Sequence, residues 1–155
     1  MVGLLCALLS LAAPPPAHAA LRAAAVSVDI TPDLKRHKIY LAGYGAKGRR
    51  PAAAHDRLFA RVLLLADGEK RVGIVGLDWL GIYRNDVEDI RRATGFTSPE
   101  RYLLIAATHN HAGPDTLGLW GPVIGVSGVD LEFHRESKEK IADALKSLES
   151  KLEDA

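Results

Sequence analysis

The chain has 155 residues, of which 48% are hydrophobic and 25% are charged, and its formal net charge is +1. This composition is typical of a globular protein with one hydrophobic core, and the length is short for a complete enzyme with a deep cleft. The Lys and Arg residues are scattered and the aromatic residues form no cluster, which argues against nucleic-acid binding. The single cysteine, Cys6, leaves no pair for a disulfide and no set of thiolates for a zinc site.

Residues 1–20 have the features of a signal peptide. An apolar run over residues 2–11 is followed by the triplet AHA at 17–19, which has the small-x-small pattern of a cleavage site. The apolar run has only about half the length that a bilayer requires, so we expect no transmembrane segment. The sequence therefore predicts a secreted or periplasmic protein with residues 21–155 as the mature chain, and an unprocessed N-terminus is the alternative.

Three strands are predicted in the first half of the mature chain. Residues 25–30 alternate small or apolar side chains with polar ones and stop before Pro32, which cannot continue a central strand. Residues 58–66 and 71–78 are apolar runs separated by a short glycine-containing turn, which predicts a β-hairpin. Residues 39–48 are rich in glycine, and we expect their backbone to pass close to another part of the molecule.

A strand–helix–strand unit is predicted after the hairpin. Asn85 is expected to cap a helix over residues 86–93 that ends at Gly95, with acids in its first turn and arginines in its last. Residues 101–107 then form a strand that should lie parallel to the second hairpin strand. An amphipathic helix is predicted over residues 130–152. These elements predict an α/β fold, with a mixed β-sheet that contains a hairpin and a crossover and is flanked by helices in an incomplete layered domain.

Two histidines, His109 and His111, follow the last predicted strand. Because side chains alternate across a strand, we expect both to point to one face and Thr108 and Asn110 to point to the other. Two neutral imidazoles on one face can bind the same metal ion, and zinc in a hydrolytic site suits such ligands. Asp78 ends the neighbouring strand at the same edge of the sheet, so it is a candidate site residue, with a capping role as the alternative.

Two loops complete the candidate site. Residues 115–129 contain apolar side chains separated by glycines, which is typical of a substrate wall, and a hydrophobic flap packed on the core is the alternative. The candidate substrate-binding residues in the two loops are Gly43, Tyr44, Asp115, Leu119 and Trp120. Among the other histidines after the leader, His37 and His134 lie in charged surroundings and are expected in solvent, whereas His55 beside Asp56 is a weaker site candidate.

Several short motifs of this chain resemble those of a known family. They are VDITP at residues 28–32, AGYG at 42–45, HD at 55–56, ARV at 60–62, LD at 77–78 and ATHNHAGP at 107–114. In this order and spacing they resemble the N-terminal part of the neutral/alkaline, non-lysosomal ceramidase family. The resemblance runs from about Val26 to the C-terminus, and the DITP and THxHxGP pieces together make it specific.

The resemblance implies a zinc-dependent hydrolase that cleaves the N-acyl amide bond of a sphingolipid such as ceramide, releasing sphingosine and a fatty acid. It implies that His109 is a zinc ligand and that His111 is a catalytic residue beside the scissile carbonyl. From its position, Asp78 is expected to orient an imidazole. The partner is then a lipid-like amide substrate, and peripheral contact with a membrane is compatible with that chemistry.

The family also draws zinc ligands, namely a second His, a Glu and a Tyr, from sequence well downstream. We therefore expect residues 21–155 to be the N-terminal portion of a ceramidase-type catalytic domain. One alternative is a non-catalytic truncated remnant or interaction module that keeps the fold. Another is a different His-x-His metallohydrolase of the barrel type, although there the pair usually follows the first strand, and several strands precede it here.

Overall fold

The computed structural model describes residues 20–155, so the predicted signal peptide lies outside the described residues over positions 1–19. The elements are β1 (Arg22–Asp29), β2 (Phe59–Asp67), β3 (Lys70–Leu77), α1 (Arg84–Thr94), β4 (Arg101–Ala107), α2 (Leu131–Leu148) and β5 (Glu153–Asp154). A 3-10 turn, Glu149–Lys151, joins α2 to β5. Within the described range, neither helix combines the length and the apolar character needed to cross a bilayer.

The strands form one mixed sheet in the order β4-β3-β2-β1-β5. β1 pairs antiparallel with β2, and β2 pairs antiparallel with β3 across the hairpin. β3 and β4 are parallel neighbours, and α1 forms the crossover between them. The predicted α/β fold, with its hairpin and its strand–helix–strand unit, is confirmed.

Both helices pack on the same face of the sheet, where every second strand residue is buried. This core contains Val62, Leu64, Val75, Leu77, Ile90, Leu103, Ile141, Leu145 and Leu148. The opposite face carries the exposed side chains of Ile74, Tyr102 and Leu104, and no element of the described chain covers them. The described part of the chain is therefore a two-layer structure with helices on one side.

The first helix begins earlier than predicted. Its N-cap is Tyr83 rather than Asn85, and no side chain makes a capping hydrogen bond. The prediction for Asn85 was wrong because the Tyr83 carbonyl already accepts the N–H of Asp86, while the Tyr83 hydroxyl donates to the carbonyl of Leu117 and fixes the start of the helix. At the other end, Gly95 has a left-handed φ of 73° and forms the C-cap as predicted.

The second helix is shorter than predicted and leads into a strand that was not predicted. Asp130 begins the helix as predicted, and its side chain accepts the N–H of Phe133. The helix ends at Leu148, and the 3-10 turn that follows lets Leu152 pack against the core. β5 then pairs antiparallel with the start of β1. A two-residue polar strand carries no periodic pattern from which it can be predicted.

A buried histidine attaches the segment before the glycine-rich loop to α2. His37 is 4% exposed, with Nδ1 3.3 Å from the Asp130 carboxylate and Nε2 3.5 Å from that of Glu136. Its ring meets the ring of Phe133 edge to face, and the N–H of Lys38 donates to Asp130 at 2.7 Å. The expectation that His37 lies in solvent was wrong, because the first turns of α2 cover it.

Leu145 tests the helix–sheet core. It is 1% exposed, and changing it to Ala removes buried carbons and leaves a cavity. We expect Leu145→Ala to lower the free energy of unfolding by about 2–5 kcal/mol. Leu131→Ala in the same helix is the matched control, since Leu131 is 79% exposed, and it should change this energy by less than about 0.5 kcal/mol. Urea denaturation followed by circular dichroism measures both, and equal losses would contradict the one-sided core.

The Asp130 cap predicts a pH-dependent stability. Burial opposes its ionisation, but the N–H groups of Phe133 and Lys38 outweigh burial and hold the pKa of Asp130 below its usual value. A lowered pKa stabilises the fold above the unfolded pKa of about 3.9, and this stabilisation is lost as the pH falls through the folded pKa. Asp130→Ala should therefore cost about 1 kcal/mol near neutral pH and progressively less in acid.

Asp130→Asn is the control for this experiment, because its amide oxygen accepts the capping hydrogen bond at any pH. Denaturant unfolding at a series of pH values measures the difference in the free energy of unfolding between the native chain and each variant. The difference in this free energy between the native chain and the Ala variant should decrease as the pH falls below about 4, where the Asp130 carboxylate takes up a proton. A difference that stays constant into strong acid would show that the charge of Asp130 does not stabilise the fold.

Candidate metal and substrate site

Two chain segments leave the sheet side by side at the carboxyl ends of β3 and β4. The last paired residues are Leu77 and Ala107. Beyond them, the N–H of Thr108 donates to the carbonyl of Leu77 at 2.8 Å, and the N–H of Asn110 donates to that of Trp79 at 3.0 Å. These hydrogen bonds hold the histidine segment against the segment that follows β3.

His109 lies just beyond β4 and has a left-handed backbone, with φ of 62°. The alternation of side chains along a strand does not apply to it, because β4 ends at Ala107. Its Nδ1 is 3.0 Å from the carbonyl oxygen of Leu80. Since a carbonyl only accepts, Nδ1 carries a proton, and in the neutral ring Nε2 then keeps a free lone pair. This is the tautomer and the fixed orientation that a metal-ligating imidazole requires.

His111 brings a second imidazole to the same point. The Nε2 atoms of His109 and His111 are 3.2 Å apart, and the ring planes meet at 80°. Two nitrogens that bind one tetrahedral zinc at about 2.0–2.1 Å lie roughly 3.4 Å from each other, so the observed separation suits a shared ion. The rings converge as predicted, although a turn rather than a strand brings them together.

Gly43 in the glycine-rich loop packs against the His111 ring. It has a left-handed φ of 79°, and a Cβ at this position would lie 1.7 Å from Nδ1 of His111. Only a residue without a side chain leaves room for the imidazole, so this close approach explains the glycine. The next residue, Tyr44, is exposed to solvent.

Asp115 is 2% exposed and organises the second loop. Its carboxylate accepts backbone N–H groups from Leu117, Gly118, Leu119, Trp120 and Gly128. The ring N–H of Trp120 donates to the carbonyl of Gly45 at 3.1 Å, which joins this loop to the glycine-rich loop. The structure thus places Asp115 at the centre of the loop and leaves Leu119 exposed at its surface.

Asp78 makes its hydrogen bonds away from the two rings. Its carboxylate accepts the N–H of Phe59 at 2.9 Å and the guanidinium of Arg61 at 2.8 Å. Burial raises the pKa of Asp78, but these two partners outweigh it and keep the pKa below its usual value. Among the described residues, neither His109 nor His111 hydrogen-bonds to this carboxylate, so its predicted role in orienting an imidazole has no direct contact to support it.

A cleft of about 510 Å³ lies on the other side of the histidine segment. Asp78, Thr108 and Asn110 form part of its polar wall, whereas His109 and His111 do not line it. Its apolar wall includes Pro32, Leu34, Ile39, Leu41, Leu58 and Pro114. This cleft was not predicted, because its walls come from loops far apart in the chain. The predicted opposite orientation of residues 108 and 110 was the one signal of a second surface.

The two remaining histidines after the leader have contrasting surroundings. The His55 side chain is 96% exposed, and Asp56, 3.0 Å from its Nδ1, raises the pKa of His55. His134 packs on Trp79 with 5.1 Å between ring centroids and lies 3.7 Å from Asp86, and burial lowers its pKa. The expectation that His134 lies in solvent was wrong, because α2 packs this side chain onto the segment after β3.

The described residues supply only part of a zinc site. Across residues 20–155, no three His, Cys, Asp or Glu side chains group closely enough to hold a metal ion. A catalytic zinc normally has three protein ligands. His109 has the tautomer of one ligand, and His111 is near enough to share an ion with it. The donors therefore fit zinc in type and spacing, while their number is below that of a catalytic site.

Two solved structures of ceramidases have a fold similar to that of this chain. The crystal structure of neutral ceramidase from Pseudomonas aeruginosa matches with a TM-score of 0.69 and 20% identity, over 88% of this chain and 22% of that one. A ceramidase complexed with C2 matches with a TM-score of 0.66 at 20% identity, with the same coverage of 88% and 22%. This chain thus has a ceramidase-like fold that corresponds to 22% of the length of those proteins.

The amino-acid sequence of this chain reveals no relative among family models or curated proteins. No protein-family model matches this chain, and no curated protein has a matching sequence. The likeness therefore concerns the fold.

Gly43→Ala should displace the His111 ring, because the added Cβ and Nδ1 cannot occupy the same space. Gly45→Ala is the matched control, since Gly45 also has a positive φ, of 105°, but a Cβ added there would meet nothing within 4 Å. Backbone strain should lower the free energy of unfolding of both variants by about 1–2 kcal/mol. Only Gly43→Ala should also shift the His111 ring signals in NMR spectra. Identical imidazole spectra for the two variants would contradict the packing.

Proposed function

We propose that this chain is the N-terminal portion of a zinc-dependent hydrolase of the ceramidase type, which cleaves the N-acyl amide bond of a sphingolipid such as ceramide. The observation that carries the proposal is the 3.2 Å separation of the two Nε2 atoms of His109 and His111 at the carboxyl edge of the sheet. The ceramidase-like fold and the motifs at residues 28–32 and 107–114 support the same chemistry.

His109 is proposed as the zinc ligand, through Nε2. The Leu80 carbonyl holds the proton on Nδ1, so the ring stays in the ligating tautomer and loses a hydrogen bond if it turns away. When bound, zinc supplies a Lewis acid for the amide carbonyl and a water whose pKa is lowered to about 7. The protein contributes an imidazole whose direction is set before the ion arrives.

His111 is proposed as the hydrogen-bond donor to the scissile carbonyl. With zinc on Nε2 of His109, a neutral His111 ring that carries its proton on Nε2 would donate a hydrogen bond to the substrate carbonyl, because the two Nε2 atoms lie only 3.2 Å apart. Gly43 packs closely against this ring and so limits its movement on that side. A donor of this kind contributes roughly 3 kcal/mol to stabilising the developing oxyanion.

The two loops beside the rings are proposed as the substrate walls. Tyr44 from the glycine-rich loop, and Leu119 and Trp120 from the loop that Asp115 organises, offer apolar surface to an aliphatic amide. Such walls suit a lipid-like substrate better than a polar one. The leader-like residues 1–20 support secretion or a periplasmic location for this activity.

A non-catalytic remnant or interaction module is the second candidate. The small number of possible metal ligands favours this candidate. Within the described residues, fewer than three His, Cys, Asp or Glu side chains lie close enough together to hold one ion. Under the hydrolase proposal, catalysis requires further zinc ligands that the described residues do not group with His109. Zinc binding by this chain distinguishes the two candidates.

Zinc titration followed by calorimetry tests the proposal. The native chain should bind one equivalent of zinc through the oriented Nε2 of His109, more weakly than a site with three protein ligands would, and His109→Ala should abolish this binding. His55→Ala is the control: His55 is 96% exposed and lines a different surface, so this variant should bind zinc as the native chain does. Absence of zinc uptake by the native chain, or uptake that His109→Ala leaves unchanged, would favour the non-catalytic candidate.

A further inference from the structure

An uncharged loop of exposed apolar residues follows the histidine pair in the chain. Residues 122–127, named the apolar tip, are all exposed, and Ile124 reaches 74%. A turn at the end of the tip brings the N–H of Val126 to the carbonyl of Val123 at 3.2 Å and turns Val123, Ile124 and Val126 outward. A contiguous exposed patch of aliphatic side chains marks an interaction surface.

The base of the apolar tip is fixed to the folded domain. On one side, the carbonyl of Gly121 accepts the N–H of Gly48 at 2.8 Å. On the other, the N–H of Gly128 donates to the buried Asp115 carboxylate at 3.2 Å. A Cβ at Gly128 would lie 1.9 Å from the carbonyl oxygen of Trp120, which shows how closely the backbone segments pack. The exposure of the tip is therefore set by the fold.

Positive charges flank the apolar tip. Lys47, Arg49 and Arg50 are exposed in the loop that Gly48 joins to the base of the tip. These three residues form the cationic rim. Neither residues 39–53 nor residues 116–129 contain an Asp or a Glu, so no carboxylate within these two loops neutralises the rim.

We propose that the apolar tip and the cationic rim together dock this protein on a lipid bilayer that carries anionic headgroups. Aliphatic side chains without hydrogen-bonding groups enter the boundary of the acyl chains, and neighbouring Lys and Arg side chains bind the headgroup phosphates. The inference deepens the proposed function, on which it rests: a lipid-like amide would reach the histidine pair directly from the membrane. Asp115, which follows His111 closely in the chain, holds the base of the tip through the N–H of Gly128.

Co-sedimentation of the full chain with vesicles tests this proposal. The native chain should sediment with mixed phosphatidylcholine–phosphatidylglycerol vesicles, and more weakly with phosphatidylcholine alone or at high salt. Ile124→Glu should lower the partition coefficient about tenfold or more, because one large aliphatic side chain no longer enters the apolar phase. Lys47→Gln and Arg49→Gln should each lower it about fivefold on the anionic vesicles only.

Leu131→Glu is the matched control, because Leu131 is 79% exposed but belongs to α2 rather than to the tip. Leu131→Glu keeps residues 1–20, so any contribution of this leader to vesicle binding is the same as in the native chain. The variant should therefore sediment like the native chain. Equal sedimentation of Ile124→Glu and Leu131→Glu, or binding indifferent to phosphatidylglycerol, would overturn the proposal. A tip that binds another protein instead would give no vesicle binding, which also overturns it.

Zinc titration of the same variants separates this inference from the proposed function. Ile124→Glu should keep the native zinc stoichiometry, because Ile124 is 74% exposed and the hydrogen bonds described for the two histidine rings involve Leu80 and each other. Vesicle binding without zinc uptake would remove the hydrolase proposal and leave the docking surface standing. Zinc uptake without vesicle binding would remove the docking surface and leave the hydrolase proposal standing.

Discussion

The parallel pairing of β3 with β4 is the constraint on which the candidate site depends. It brings the carboxyl ends of two strands to one edge, and the N–H groups of Thr108 and Asn110 extend the contact beyond the sheet. The carbonyl groups after β3 therefore lie beside the histidine segment, and the Leu80 carbonyl can fix the tautomer of His109. Helix α1 forms the crossover that joins the two strands, and its Ile90 is buried in the core.

The surface around the histidines is held by polar groups that are themselves buried. The Asp115 carboxylate satisfies several backbone N–H groups of one loop, and Trp120 joins that loop to the glycine-rich one. A buried charge with fewer partners would be costly, so this loop and its carboxylate stabilise each other. This arrangement leaves Leu119, Val123, Ile124 and Val126 exposed at the surface of the loop.

The two sides of the histidine segment have different chemistry. One side presents two imidazoles, and the other presents Thr108, Asn110 and the Asp78–Arg61 ion pair to a cleft with largely apolar walls. Asp78 thus contributes to the structure of the strand ends, and its lowered pKa follows from its partners there. The hydrolase hypothesis concerns the imidazole side, and the likeness of the fold to ceramidases is compatible with it.

The α/β class, the hairpin, the crossover, the Gly95 cap and the proximity of His109 and His111 could all be predicted from the sequence, because apolar periodicity and turn chemistry are local signals. The burial of His37 and His134, the partners of Asp78 and the packing of Gly43 on His111 became known only from the folded chain. Each of these depends on residues far apart in the chain, such as His37 and Glu136. Local pattern cannot encode such contacts, since they arise only when separate elements pack together.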